Sequence, residues 1–168
     1  MKPETPQLAS LAAVITEDIA AIERLDVQLS ELSVSLAVPK PAFRDLAAVA
    51  YLLHNVYCAL ENAFEQVSRT FENHLTDPSQ WHRELLAKMF LEIPTVRPAV
   101  LPGHLRRFLN DLRGFRHLFR HSYDFQLDPE KLNRLVRDWA GARLELLGAL
   151  TRFRDRLIAG VRTEPGQA

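Results

Sequence analysis

Apolar positions recur along this chain at helical spacing, and prolines cut the pattern into pieces. Leu8, Ile15, Ile22, Leu29 and Leu36 stand seven apart, with Leu11, Leu25 and Leu32 between them. One apolar stripe therefore runs the length of a first helix, interrupted only by Asp18. Val38-Pro39-Lys40-Pro41 ends it, because proline lacks an amide proton and turns its predecessor away from helical angles. The cleanest stripe follows: Phe43, Leu46, Ala50, Leu53, Tyr57, Leu60, Phe64, Val67 and Phe71 predict a long second helix seated in a bundle. Thr76-Asp77-Pro78-Ser79 breaks the chain, a shorter helix is expected from about Gln80 to Leu91, and Pro94, Pro98 and Pro102 predict an extended connector.

A fourth helix carries Leu105, Phe108, Leu112, Phe115 and Phe119 inward and Arg106, Arg113 and Arg120 on another face. Asp128-Pro129-Glu130 opens the last helix with a capping aspartate and a proline in the first turn. Leu132, Leu135, Trp139, Leu146, Leu150, Phe153 and Leu157 line it, and the tail from Thr163 is expected to fray. The pattern predicts an all-α antiparallel bundle whose first, second and last helices are long. It forms a single domain over residues 1–168, with its core at about 8–158.

Composition narrows the class. A chain of 168 residues, 47% hydrophobic and 25% charged, can bury one sizeable core without metals or disulfides. Cys58 is the only cysteine, so no internal disulfide forms and a reducing compartment is the natural expectation. No apolar run reaches the length of a membrane span, and Met1-Lys2-Pro3-Glu4 lacks a signal-peptide pattern, so a cytoplasmic protein without membrane contact is expected. The 21 basic and 21 acidic side chains cancel, which alone points to no nucleic-acid partner. Their distribution says more. Between Leu101 and Tyr123 there are five arginines (Arg106, Arg107, Arg113, Arg116, Arg120) against Asp111 alone, a patch that could draw a phosphate backbone.

Within that patch stands Arg116-His117-Leu118-Phe119-Arg120-His121-Ser122-Tyr123. Cleaving RNA at its own 2′-hydroxyl needs a base, an acid and a cation to steady the charge on the phosphorane. Histidine changes protonation near neutral pH, and arginine offers a permanently charged fork to phosphate. Arg116 and His121 supply both, and both are read as lying off the apolar stripe. On a continuous helix, however, residues five apart point about 140° away from each other. Either the helix unwinds near His121, or a second subunit completes the site.

At these residues the chain resembles the HEPN superfamily of ribonucleases, whose signature is an arginine, usually a polar residue, then a histidine after four to six intervening positions. Tyr123, two beyond the histidine, narrows the resemblance to HepT-like toxins. His117 stands where asparagine or aspartate is common. Trp81 to Leu86 and Glu92 to Pro98 also look like a HepT-like subgroup, and the similarity spans roughly Leu8 to Ile158. The resemblance implies a metal-independent endoribonuclease toxin, dimeric and without a cofactor. His121 would act as general base or acid and Arg116 as phosphate stabiliser, with Arg113, His117 and Arg120 holding RNA. It also implies an MntA-type nucleotidyltransferase antitoxin that attaches adenosine monophosphate to Tyr123. The alternative is an inactive module of the same fold that binds nucleic acid, nucleotide or a partner; a structural adaptor is third. His117 and His121 also have the i, i+4 spacing of metal ligands, but only Asp124 stands nearby as a third, and a metal site is disfavoured. His54 with Cys58, and His82 beside Trp81, read as packing residues.

Overall fold

A computed structural model describes residues 3–72, 81–121 and 126–163, and every element in them is helical. Five α-helices follow in chain order: α1 (Thr5–Ser33), α2 (Phe43–Phe71), α3 (Trp81–Met89), α4 (Arg106–His121) and α5 (Pro129–Thr163). Short 3₁₀ turns, Val34–Ala37 and Gly103–Leu105, extend the end of α1 and lead into α4. The bundle is all-α, as the periodicity predicts, and α1, α2 and α5 are the long members.

The helix ends follow from local chemistry. Gln7 Oε1 accepts a hydrogen bond from the Glu4 N–H at the start of α1. Asp128 Oδ1 accepts from the N–H groups of Glu130 and Lys131, satisfying donors that the first turn of α5 leaves open. Pro129 is the first residue of that helix, where its missing N–H costs nothing.

Three sets of polar or ring contacts tie the helices together. Asn62 on α2 donates to both carboxylate oxygens of Asp18 on α1, at 3.1 and 2.9 Å, which answers the one polar interruption of the first stripe. Burial raises the Asp18 pKa, and the Asn62 hydrogen bond opposes the rise. Asp26, also on α1, is buried and accepts from Trp139 Nε1 at 2.7 Å and from Arg143 Nη1, both on α5. On α4, Arg116 reaches Glu61 of α2 while Phe119 reaches His54, so α2 and α4 run antiparallel. The core between them is apolar: Ile15, Val49, Leu53, Leu60, Phe64, Leu109, Leu112, Leu146 and Leu150 are all fully enclosed.

Two expectations are corrected. Phe43 is 74% exposed; burial along the second stripe starts at Leu46. The proline-rich connector is not extended throughout. Ile93 and Arg97 exchange backbone hydrogen bonds of 2.9 and 3.0 Å around Thr95, which has φ 66°, in the left-handed region. The Arg97 guanidinium closes this loop from inside. Its side chain is wholly buried and donates to Glu72 and to the carbonyls of Lys88, Leu91 and Pro98, while Glu72 also pairs with Lys88 at 3.0 Å. Burial alone would raise the Glu72 pKa; the hydrogen bonds from Arg97 and Lys88 outweigh it and hold the carboxyl below its ordinary value. The N–H groups of Val100 and Leu101 then share the Met89 carbonyl, which delivers the chain to α4.

Candidate functional site

The motif helix is continuous. α4 runs unbroken from Arg106 to His121, so the helix does not unwind ahead of the histidine, and the stretch that follows it, residues 122–125, lies outside the described residues. The two side chains go to different environments. Arg116 is buried, 7% exposed, against α2, whereas His121 is exposed at the helix end. The reading that both lie off the apolar stripe is therefore right for His121 and wrong for Arg116. A guanidinium can turn inward here because an acid waits for it.

That acid is Glu61. Its Oε2 accepts from Arg116 Nη2 at 2.7 Å, with both side chains 8% exposed, and its Oε1 lies 2.6 Å from Nδ1 of His82, the second residue of α3. The buried carboxylate thus ties three helices together. Tyr57, one turn earlier on α2, turns its ring toward the same guanidinium, whose carbon is 6.0 Å from the ring centroid. Burial, and then the charge of Glu61, hold the Tyr57 hydroxyl's pKa well above its ordinary value, so it stays protonated. Nε of Arg116 and Nε of Arg113 are both buried without a hydrogen-bond partner.

One turn along, His54 of α2 packs its ring on Phe119 at 5.3 Å between centroids, and its Nε2 is 3.5 Å from Cys58 Sγ. Burial, then the charges of Arg116 and Arg120, push its pKa below the usual histidine value. His54 is thus a neutral imidazole beside two arginines. Three arginines of α4 (Arg113, Arg116, Arg120) share the side that faces these α2 residues. By contrast His117 and His121 are exposed, their rings 4.8 Å apart on the outward side. Arg116 and His121 therefore do not converge within one chain, whereas His117 stands one turn from both Arg113 and Arg120. Tyr123 and Asp124 lie outside the described residues, and among those described no three His, Cys, Asp or Glu side chains gather as a metal site would require.

The five-arginine patch is also less uniform than its sequence suggests. Arg116 is neutralised by Glu61, and the Arg106 guanidinium lies over the Phe90 ring at 4.8 Å. Glu61, His82, Tyr57 and His54 all escaped the sequence reading as site residues. Glu61 did leave a signal, for it stands four after Tyr57 and three before Phe64, a lone acid on the inward stripe of α2 that must find a cation.

Comparison with known proteins agrees with this architecture. No curated protein and no solved structure shows a match to the chain. The family described as HepT-like protein matches residues 48–157, a span that takes in most of α2, all of α3 and α4, and most of α5. Covering well over half of the sequence and including every residue of the Arg116 to Tyr123 motif, that match establishes that the chain belongs to the HepT-like family.

Proposed function

We propose that the protein is a metal-independent endoribonuclease toxin that cleaves RNA through the 2′-hydroxyl, acting as a homodimer. The observation that carries the reading is Arg116, His117, Arg120 and His121 on one unbroken helix within a HepT-like chain. That helix holds a positioned guanidinium and two accessible imidazoles. His121 moves the proton of the attacking hydroxyl or of the leaving oxygen. Arg116 stabilises the phosphorane, while Arg113, His117 and Arg120 hold the flanking backbone.

The same geometry supports a dimer. Because Arg116 and His121 diverge by about 140° on an intact helix, a site that uses both takes one from each protomer. Leu118, on the same helix, is a large apolar side chain left 49% exposed. A large apolar side chain left in water at that point is what an interface covers.

Control falls to Tyr123 and a partner. A nucleotidyltransferase of the MntA type would attach adenosine monophosphate to the Tyr123 hydroxyl, adding negative charge two positions beyond His121 in the sequence and repelling incoming RNA. Co-expression followed by intact-mass spectrometry tests this: added adenylate on the wild type and none on Tyr123→Phe is the expected result, and an unmodified wild type refutes it. The activity itself is tested by incubating the purified protein with RNA in the presence of a chelator. Products ending in 2′,3′-cyclic phosphate support the reading, and cleavage that needs a divalent metal refutes the mechanism.

A further inference from the structure

We infer that Glu61 is a positioning residue for the phosphate chemistry: its carboxylate, braced by His82, fixes the orientation of Arg116. The inference rests on the reading of Arg116 as the phosphate contact. It goes beyond that reading by making the motif arginine depend on two residues from other helices, neither of which belongs to the motif.

A lone arginine on a helix is a long, mobile side chain that keeps its charge in water. Arg116 does the opposite, with its side chain 8% exposed and its guanidinium committed through Nη2 to Glu61 Oε2 at 2.7 Å. Glu61 in turn cannot rotate freely, because Oε1 is taken by His82 Nδ1 at 2.6 Å and the carboxylate is itself 8% exposed. His82 is braced by Trp81, whose ring meets it edge-on at 4.5 Å. The result is a chain of contacts, Trp81 to His82 to Glu61 to Arg116, running from α3 through α2 to α4. Such a chain removes rotamer freedom from the guanidinium before RNA arrives, which is how outer groups sharpen a charge-stabilising site.

The test compares wild type with Glu61→Gln, Glu61→Asp, Arg116→Ala and the double variant Glu61→Gln/Arg116→Ala. Each is assayed for cleavage of a fluorogenic RNA and for binding of a 2′-O-methyl RNA that cannot be cut. Positioning predicts that Glu61→Gln lowers kcat by about tenfold or more with KM changed by no more than about threefold. Glu61→Asp, charged but shorter, should keep more activity than Glu61→Gln, which is isosteric but neutral. A role in packing alone reverses that order. In the Arg116→Ala background, adding Glu61→Gln should cost less than about twofold, since a residue acting through Arg116 has nothing left to position. Multiplying losses would overturn the inference.

Binding separates this inference from the ribonuclease reading. If the wild type cuts no RNA, that reading fails, and the uncut RNA still decides the role of Glu61. Equal, non-additive weakening by Glu61→Gln and Arg116→Ala upholds positioning. Tighter binding by Glu61→Gln, or no effect of Arg116→Ala on either assay, overturns it.

Discussion

Replacing Arg116 with alanine should cost stability as well as activity, and the size of the cost follows from its surroundings. Glu61 and Arg116 are 6% and 7% exposed, so removing the guanidinium strands a buried carboxylate. Breaking a buried ion pair by deleting one partner typically costs about 3–5 kcal/mol. Here the value should fall at the lower end, about 3 kcal/mol, because His82 keeps hold of Glu61 Oε1. His121→Ala removes an exposed side chain and should stay within about 0.5 kcal/mol of wild type. Urea unfolding followed by circular dichroism reads both, with stability taken from midpoint shifts at unchanged slope. The double variant Arg116→Met/Glu61→Leu should recover to within about 1 kcal/mol of wild type, since apolar side chains of similar volume carry no desolvation cost. An Arg116→Ala protein within about 0.5 kcal/mol of wild type would refute the buried-pair reasoning. So would a double variant less stable than either single one. Activity lost in Arg116→Ala must accordingly be measured at a temperature where the variant is shown to be folded.

Other outcomes follow from the same contacts. Asp26→Ala should destabilise the chain by about 3 kcal/mol in thermal or urea unfolding, because it leaves Trp139 Nε1 and Arg143 without their shared buried acceptor. Leu118→Arg should leave the monomer folded but halve the mass seen by light scattering and abolish RNA cleavage, since that side chain is 49% exposed in one chain. Glu72, whose folded pKa lies below its ordinary value, contributes stability that is complete above the unfolded carboxylate range. That contribution is lost as pH falls through the folded value, so the acid limb of the stability curve should be shallower in Glu72→Gln. In an NMR titration the His54 imidazole should titrate below the ordinary histidine value of about 6.5, and Arg120→Gln should raise it.

The fold was legible because the bundle's helices announce themselves by spacing alone. Leu53, Leu60, Phe64 and Val67 repeat on one face of α2, and all four are buried where that repeat puts them. Phe43 continued the same pattern yet stands in solvent, because periodicity assigns a face and says nothing of where the neighbouring helix begins. The geometry of the candidate site was half legible. Residue types named Arg116 and His121, and spacing showed that they diverge, but the direction of Arg116 depended on Glu61, 55 positions away in sequence by the difference of their numbers. Long-range pairing of that kind leaves only the faint mark of a charge on an apolar stripe. Arg97 shows the same limit: nothing local tells that its guanidinium, rather than the three prolines, gathers the connector's carbonyls.

The most direct test of the proposal that the protein is a ribonuclease with a site shared between protomers is complementation. Arg116→Ala and His121→Ala proteins, each inactive alone, are unfolded and refolded together so that mixed dimers form, and RNA cleavage is followed in the presence of a chelator. A shared site predicts that activity returns in the mixture, because each mixed dimer holds one intact arginine and one intact histidine facing each other. A mixture as inactive as its components, with mixed dimers shown to be present by native mass spectrometry, would contradict it.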